Sequence, residues 1–104
     1  MSKFVFAYHG GGMPESPEEG ERVMAAWGAW FETLGAVIVD GGNPIGDSRT
    51  VGSDGSVSQG GGANPLSGYT LIEADDIDAA VAHAKGCPIL DDGGSVEVAE
   101  ALDM

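Results

Sequence analysis

Two strand–helix–strand patterns, separated by a glycine- and serine-rich stretch, constrain this 104-residue chain more than any other feature. The first opens with Lys3-Phe4-Val5-Phe6-Ala7-Tyr8-His9, whose aromatic and β-branched residues predict a strand. Gly10-Gly11-Gly12 breaks it. Ser16-Pro17-Glu18-Glu19 then predicts a helix start: Ser16 caps, Pro17 fits the first helical position and Glu19 completes a capping box. Val23, Trp27, Trp30, Phe31 and Leu34 follow at three-to-four spacing and make one broad apolar face. Gly35 is the expected C-terminal cap. Ala36 to Asp40 is a second predicted strand, closed by Gly41-Gly42-Asn43-Pro44.

The second pattern mirrors the first. Ser67 to Ala74 predicts a strand, and Asp75 or Asp76 caps a helix carrying Ile77, Ala80, Val81 and Ala84 on one face. Pro88 is expected to stop it. Asp91-Asp92-Gly93-Gly94 turns the chain into a last strand, Ser95 to Ala101. Between the two patterns, Arg49–Val51 and Ser56–Ser58 predict a hairpin turning at Asp54-Gly55, followed by a loop over Gly60–Pro65. The order β-α-β, hairpin, β-α-β is the split βαβ pattern. It implies an α+β, ferredoxin-like βαββαβ domain spanning 1–104, with an antiparallel sheet covered on one face by two helices. Apolar residues on both faces of the strands leave the second face in need of a partner. A second copy of the chain is the expected one.

Composition narrows the partners. Seventeen acidic residues against four basic ones give a formal net charge of −13, which repels nucleic-acid phosphates and anionic lipid. High salt would screen the self-repulsion, so the charge suits a salt-adapted source as well as a soluble surface. No apolar run approaches the roughly 20 residues of a membrane span, and the expected location is cytoplasmic. Cys87 is the only cysteine, so no intrachain disulfide forms, and its place between Gly86 and Pro88 suits a buried, inert thiol.

Gly68-Tyr69-Thr70-Leu71-Ile72-Glu73, the Cys87-Pro88 turn and Gly94-Ser95-Val96-Glu97-Val98, in this order, resemble the C-terminal half of the YCII-related (DGPF-domain) family. Leu34-Gly35 and Val37 to Pro44 are similar to the family's middle section. The resemblance implies a ferredoxin-like fold, dimerised as an α/β barrel with a cleft in each subunit, in a family whose members mostly lack an assigned reaction. Two departures matter. Asn64-Pro65-Leu66 stands where the Asp-Gly-Pro-Phe loop is expected, and the first helix lacks the histidine proposed as catalytic in shorter members. The family's acid–base chemistry is therefore not carried over.

Each candidate site residue has a plainer alternative. His9, beside three glycines that admit close approach, suits proton transfer near neutral pH; the alternative is a strand-end histidine bonded to a carbonyl. Asp40 would complete an acid–base pair with His9, and Asn43 lies beside it; alternatively both satisfy turn amides. Trp27, Trp30 and Tyr69 are candidates to line a pocket for a planar ligand, against the alternative of ordinary core. Gly10–Gly12 lacks the following Lys-Ser/Thr of a phosphate loop, and Glu18, Glu19 and Glu21 would repel a phosphate there. Neither the Asp75–Asp78 nor the Asp91–Asp92 cluster has a calcium-loop pattern, and no zinc-ligand spacing exists. No cofactor and no metal are expected. The chain reads as a dimeric small-molecule-binding module. The runner-up is a cofactor-free isomerase or lyase using His9 and Asp40, and a partner-protein adaptor stands third.

Overall fold

A computed structural model describes residues 1–12 and 14–103. Four strands, β1 (Ser2–His9), β2 (Ile38–Asp40), β5 (Leu66–Ala74) and β6 (Ser95–Ala101), form one antiparallel sheet in the order β2-β5-β1-β6. Helices α1 (Pro17–Leu34) and α2 (Ile77–Ala84) connect them in the ferredoxin-like sequence expected from the residue pattern. A separate hairpin, β3 (Arg49–Val51) with β4 (Val57–Gln59), leaves the sheet between β2 and β5.

The helix signals behave as their chemistry dictates. Ser16 Oγ accepts from Glu19 N–H at 3.2 Å, and Glu19 Oε2 reaches back to Glu15 N–H. Gly35 closes α1 with φ of 55°, its N–H donating to Phe31 O. Of the two possible caps for α2 it is Asp76, whose carboxylate accepts from Ala79 N–H at 2.8 Å. Two boundaries differ from the sequence reading. Gly35–Val37 forms a 3-10 turn, so β2 begins at Ile38. Helix α2 ends at Ala84, and Pro88 opens a second 3-10 turn, Pro88–Asp92, instead of terminating the helix directly.

Strand alternation sorts the side chains. Phe4, Phe6 and Tyr8 of β1 and Thr70, Ile72 and Ala74 of β5 are buried beneath the helices. They meet Trp30 and Leu34 of α1, Ala80 and Ala84 of α2, and Cys87 and Ile89 beyond it. Phe6 and Trp30 stack with centroids 6.0 Å apart, while the alanines let α2 lie close on the sheet. The intervening residues Val5, Ala7, Leu71 and Ala99 lie on the other face, where register sets Val5 beside Leu71 and Ala99. Among the described residues, no element covers them.

The hairpin has no core of its own. Val51 and Val57 pair across it and remain 68% and 64% exposed. Its projection is reflected in a radius of gyration of 15.0 Å, where a compact chain of this length has about 13 Å.

Candidate functional site

A pocket of about 480 Å³ opens between α1 and the end of the sheet where β2 and β5 meet. Its apolar wall comes from Val23, Met24, Trp27 and Phe31, on successive turns of α1. The opposite wall is the Gly41–Pro44 turn with Ser67–Thr70 of β5, and Tyr8 contributes the floor. Trp27 meets Tyr8 edge-on at 5.1 Å and lies 6.0 Å from Phe31, so the aromatic wall is a packed unit. The size falls within the usual range for small-ligand sites, roughly 300–1,000 Å³.

The polar part of the floor is a chain of hydrogen bonds. Tyr8 Oη–H donates to Thr70 Oγ1 at 2.7 Å, and Thr70 Oγ1–H donates to Gly41 O at 3.0 Å. Burial pushes the Tyr8 phenol well above its ordinary range, against the smaller opposing effect of the Thr70 bond. Tyr8 is therefore held as a neutral phenol. Its donor is committed to Thr70, and a lone pair remains for a ligand donor.

The Gly41–Gly42 turn is built for close approach. Asp40 Oδ1 accepts from Gly42 N–H at 2.8 Å. Gly42 has φ of 77°, and a Cβ there would lie 1.7 Å from Tyr69 O, so only glycine fits. Ser67 adds an anomaly to this rim. Its Oγ is enclosed and has no hydrogen-bond partner, a situation that costs about 1–3 kcal/mol for a buried hydroxyl. Ser67 is also the residue skipped by the β1–β5 register, which pairs Tyr8 with Gly68 and His9 with Leu66.

Of the residues expected at a site, Trp27, Asn43 and Tyr69 line this pocket. Asn43 Nδ2 donates to Tyr69 Oη over a long 3.4 Å. Trp30 does not line it. It is a core residue, 6% exposed, whose Nε1–H donates to His83 O at 3.0 Å.

The pairing of His9 with Asp40 is corrected by the sheet register. His9 aligns with Leu66 and Asp40 with Leu71 on opposite sides of β5. Five residues of strand, about 16 Å, separate the two levels. His9 instead sits at the β6 side, outside the pocket lining. Its Nδ1 faces Asn64 O at 3.1 Å and Pro65 O at 3.2 Å, and its Nε2 lies 3.1 Å from Glu97 Oε1. Asp40 serves the turn amide. Sequence reasoning missed Glu97 as the carboxylate beside His9; alternation along β6 puts Glu97 on the His9 face, but strand order is needed to join them.

The pocket lining contains no carboxylate, histidine, lysine, arginine or cysteine. Among the described residues no group of three or more potential metal ligands converges, and no helix is long and apolar enough to cross a membrane.

No protein-family model matches the chain, and no curated protein matches it. Among solved structures it is similar to 5-chloro-2-hydroxyhydroquinone dehydrochlorinase (TftG) from Burkholderia phenoliruptrix AC1100, in complex with 2,5-dihydroxybenzoquinone. The likeness has a TM-score of 0.57 and 19% identity, and covers 100% of this chain and 96% of that one. At that identity the two share a small α/β fold along their whole length.

Proposed function

We propose that this protein is a small-molecule-binding domain of YCII-related type whose pocket takes a planar, oxygen-bearing aromatic ligand. The observation that carries this reading is the lining itself. Trp27 and Phe31 offer ring faces and edges, Tyr8 offers an oxygen acceptor, and the walls carry no charge. A quinone or polyhydroxylated ring fits that chemistry, and a ligand of this class, 2,5-dihydroxybenzoquinone, occupies the solved neighbour of the same fold.

Binding ranks above catalysis because the expected acid–base pair is not assembled. The pocket's titratable side chains are Tyr8 and Tyr69, and burial holds Tyr8 protonated. An isomerase or lyase acting here would find no carboxylate or imidazole base among the residues that line the pocket.

The domain is also proposed to work as a homodimer through the open sheet face. It carries Val5, Ala7, Leu71 and Ala99 as neighbours, with Glu97 beside Ala7 and Asp40 beside Leu71 at its flanks, and Lys3 faces Glu73 across the β1–β5 pair at one end. A molecule 19 Å through its thinnest dimension has only two layers, a sheet and its helices, so the bare face needs a third.

Calorimetric titration with 2,5-dihydroxybenzoquinone tests the pocket. Saturable binding by the wild type, weakened about tenfold in Trp27→Ala by loss of the ring contact, is expected. Equal affinity for both proteins would place the ligand elsewhere.

A further inference from the structure

We infer that His9 is a positioning residue: its ring pins the Asn64-Pro65 segment and thereby sets the rim of the ligand pocket, a role that rests on the pocket reading above. His9 is only 7% exposed at the end of an edge-proximal strand, because the chain entering β5 passes against its ring. Nδ1 faces two backbone carbonyls, Asn64 O and Pro65 O. Carbonyl oxygens only accept, so these contacts are bonds only when Nδ1 carries the hydrogen.

The other nitrogen is in a different situation. Nε2 points to Glu97, whose side chain is 65% exposed and free to turn to water. Glu97 is the charged group that faces the ring, and it comes from β6. From β1 the neighbour on the same face is Ala7, from β5 it is Leu66, and the Gly93–Gly94 turn approaches with backbone alone. A neutral His9 therefore keeps its hydrogen on Nδ1, where two backbone carbonyls, fixed by the chain's path into β5, accept it. It gives up the solvated carboxylate instead. The pin holds with the ring neutral or charged, because Nδ1 carries a hydrogen in both forms.

The pinned carbonyls lie two and three residues before Ser67, with which the pocket wall begins. Ser67 is the bulged residue, and its hydroxyl gains nothing in the closed arrangement. Without a tether the Asn64-Pro65 entry would relax toward water and leave the Ser67–Gly68 wall to its bonds with the Asn43–Ile45 segment alone. His9 supplies the tether from outside the pocket.

Amide hydrogen exchange on the full chain, with binding of 2,5-dihydroxybenzoquinone as a second readout, tests the pin. His9→Ala is expected to speed exchange over residues 66–68 by about tenfold, the effect of losing one part-buried hydrogen bond, and to weaken quinone binding. His9→Asn, whose amide N–H₂ overlays Nδ1, is expected to restore both, whereas His9→Gln, whose amide reaches toward Nε2, is expected to resemble His9→Ala. Nitrogen NMR of the neutral wild-type ring should show the hydrogen on Nδ1. The pin is overturned if His9→Ala leaves the exchange unchanged, if His9→Asn behaves like His9→Ala, or if the neutral ring carries its hydrogen on Nε2. Wild-type protein that fails to bind the quinone would overturn the pocket reading, and the exchange pattern and ring tautomer would still decide the pin.

Discussion

Cys87 shows how position converts a reactive group into a packing one. Its residue is 3% exposed beneath α1 and α2, and burial pushes the thiol up from 9.0 to about 11, a backbone hydrogen bond at Ile89 opposing the change. Native protein near neutral pH should therefore resist alkylation, and denatured protein should react at once; mass spectrometry distinguishes the two. The same shift predicts an alkaline weakness. The unfolded chain ionises first, so the stabilisation is complete below about pH 9 and is lost as pH rises towards 11. Melting temperatures across that window should fall less steeply in Cys87→Ala than in the wild type, whatever the variant's baseline stability. The flanking Gly86 and Pro88 made the buried thiol legible from sequence. The His9–Glu97 contact was not, because residues 88 apart meet only once the β1–β6 register is known.

At the scale of elements, local chemistry was read well where one signal acted alone. The Ser16-Pro17-Glu18-Glu19 cap, the apolar spacing of α1 and the alternation in β5 each describe what forms. Sequence and structure part where two signals compete. Ala36 and Val37 suit a strand, yet the positive-φ exit of α1 at Gly35 curls them into a 3-10 turn before β2 starts. The Gly41–Pro44 turn was legible as a turn but not as a pocket wall, because that depends on Tyr69 passing behind Gly42. This turn should be intolerant of change. Gly42→Ala is expected to cost about 1–3 kcal/mol from its positive φ alone, and more from the clash with Tyr69 O. Urea unfolding measures the loss, and stability equal to the wild type would show that the turn is not seated against β5 as described.

The molecule as a whole pairs one finished face with one unfinished face. The α+β order and the two-helix layer followed from the sequence pattern, and so did the surplus of apolar residues for a sheet covered once. Which residues face outward came only from the register. Leu71 lies half-buried beside Val5 on that face, so Leu71→Lys should leave the monomer folded and abolish self-association. Light scattering on a sizing column should give a dimer for the wild type, favoured by salt that screens the net charge of −13, and a monomer for the variant. A wild-type monomer at every salt concentration would refute the sheet-to-sheet assembly.

The pocket between α1 and the β2–β5 rim is tested most directly by NMR shift mapping with a planar dihydroxyquinone. The prediction is a set of saturable shifts at Trp27, Phe31, Gly42 and Tyr69, with Val5 and Ala99 on the open sheet face unmoved. Shifts centred on the open face, or none at saturating quinone, would contradict it.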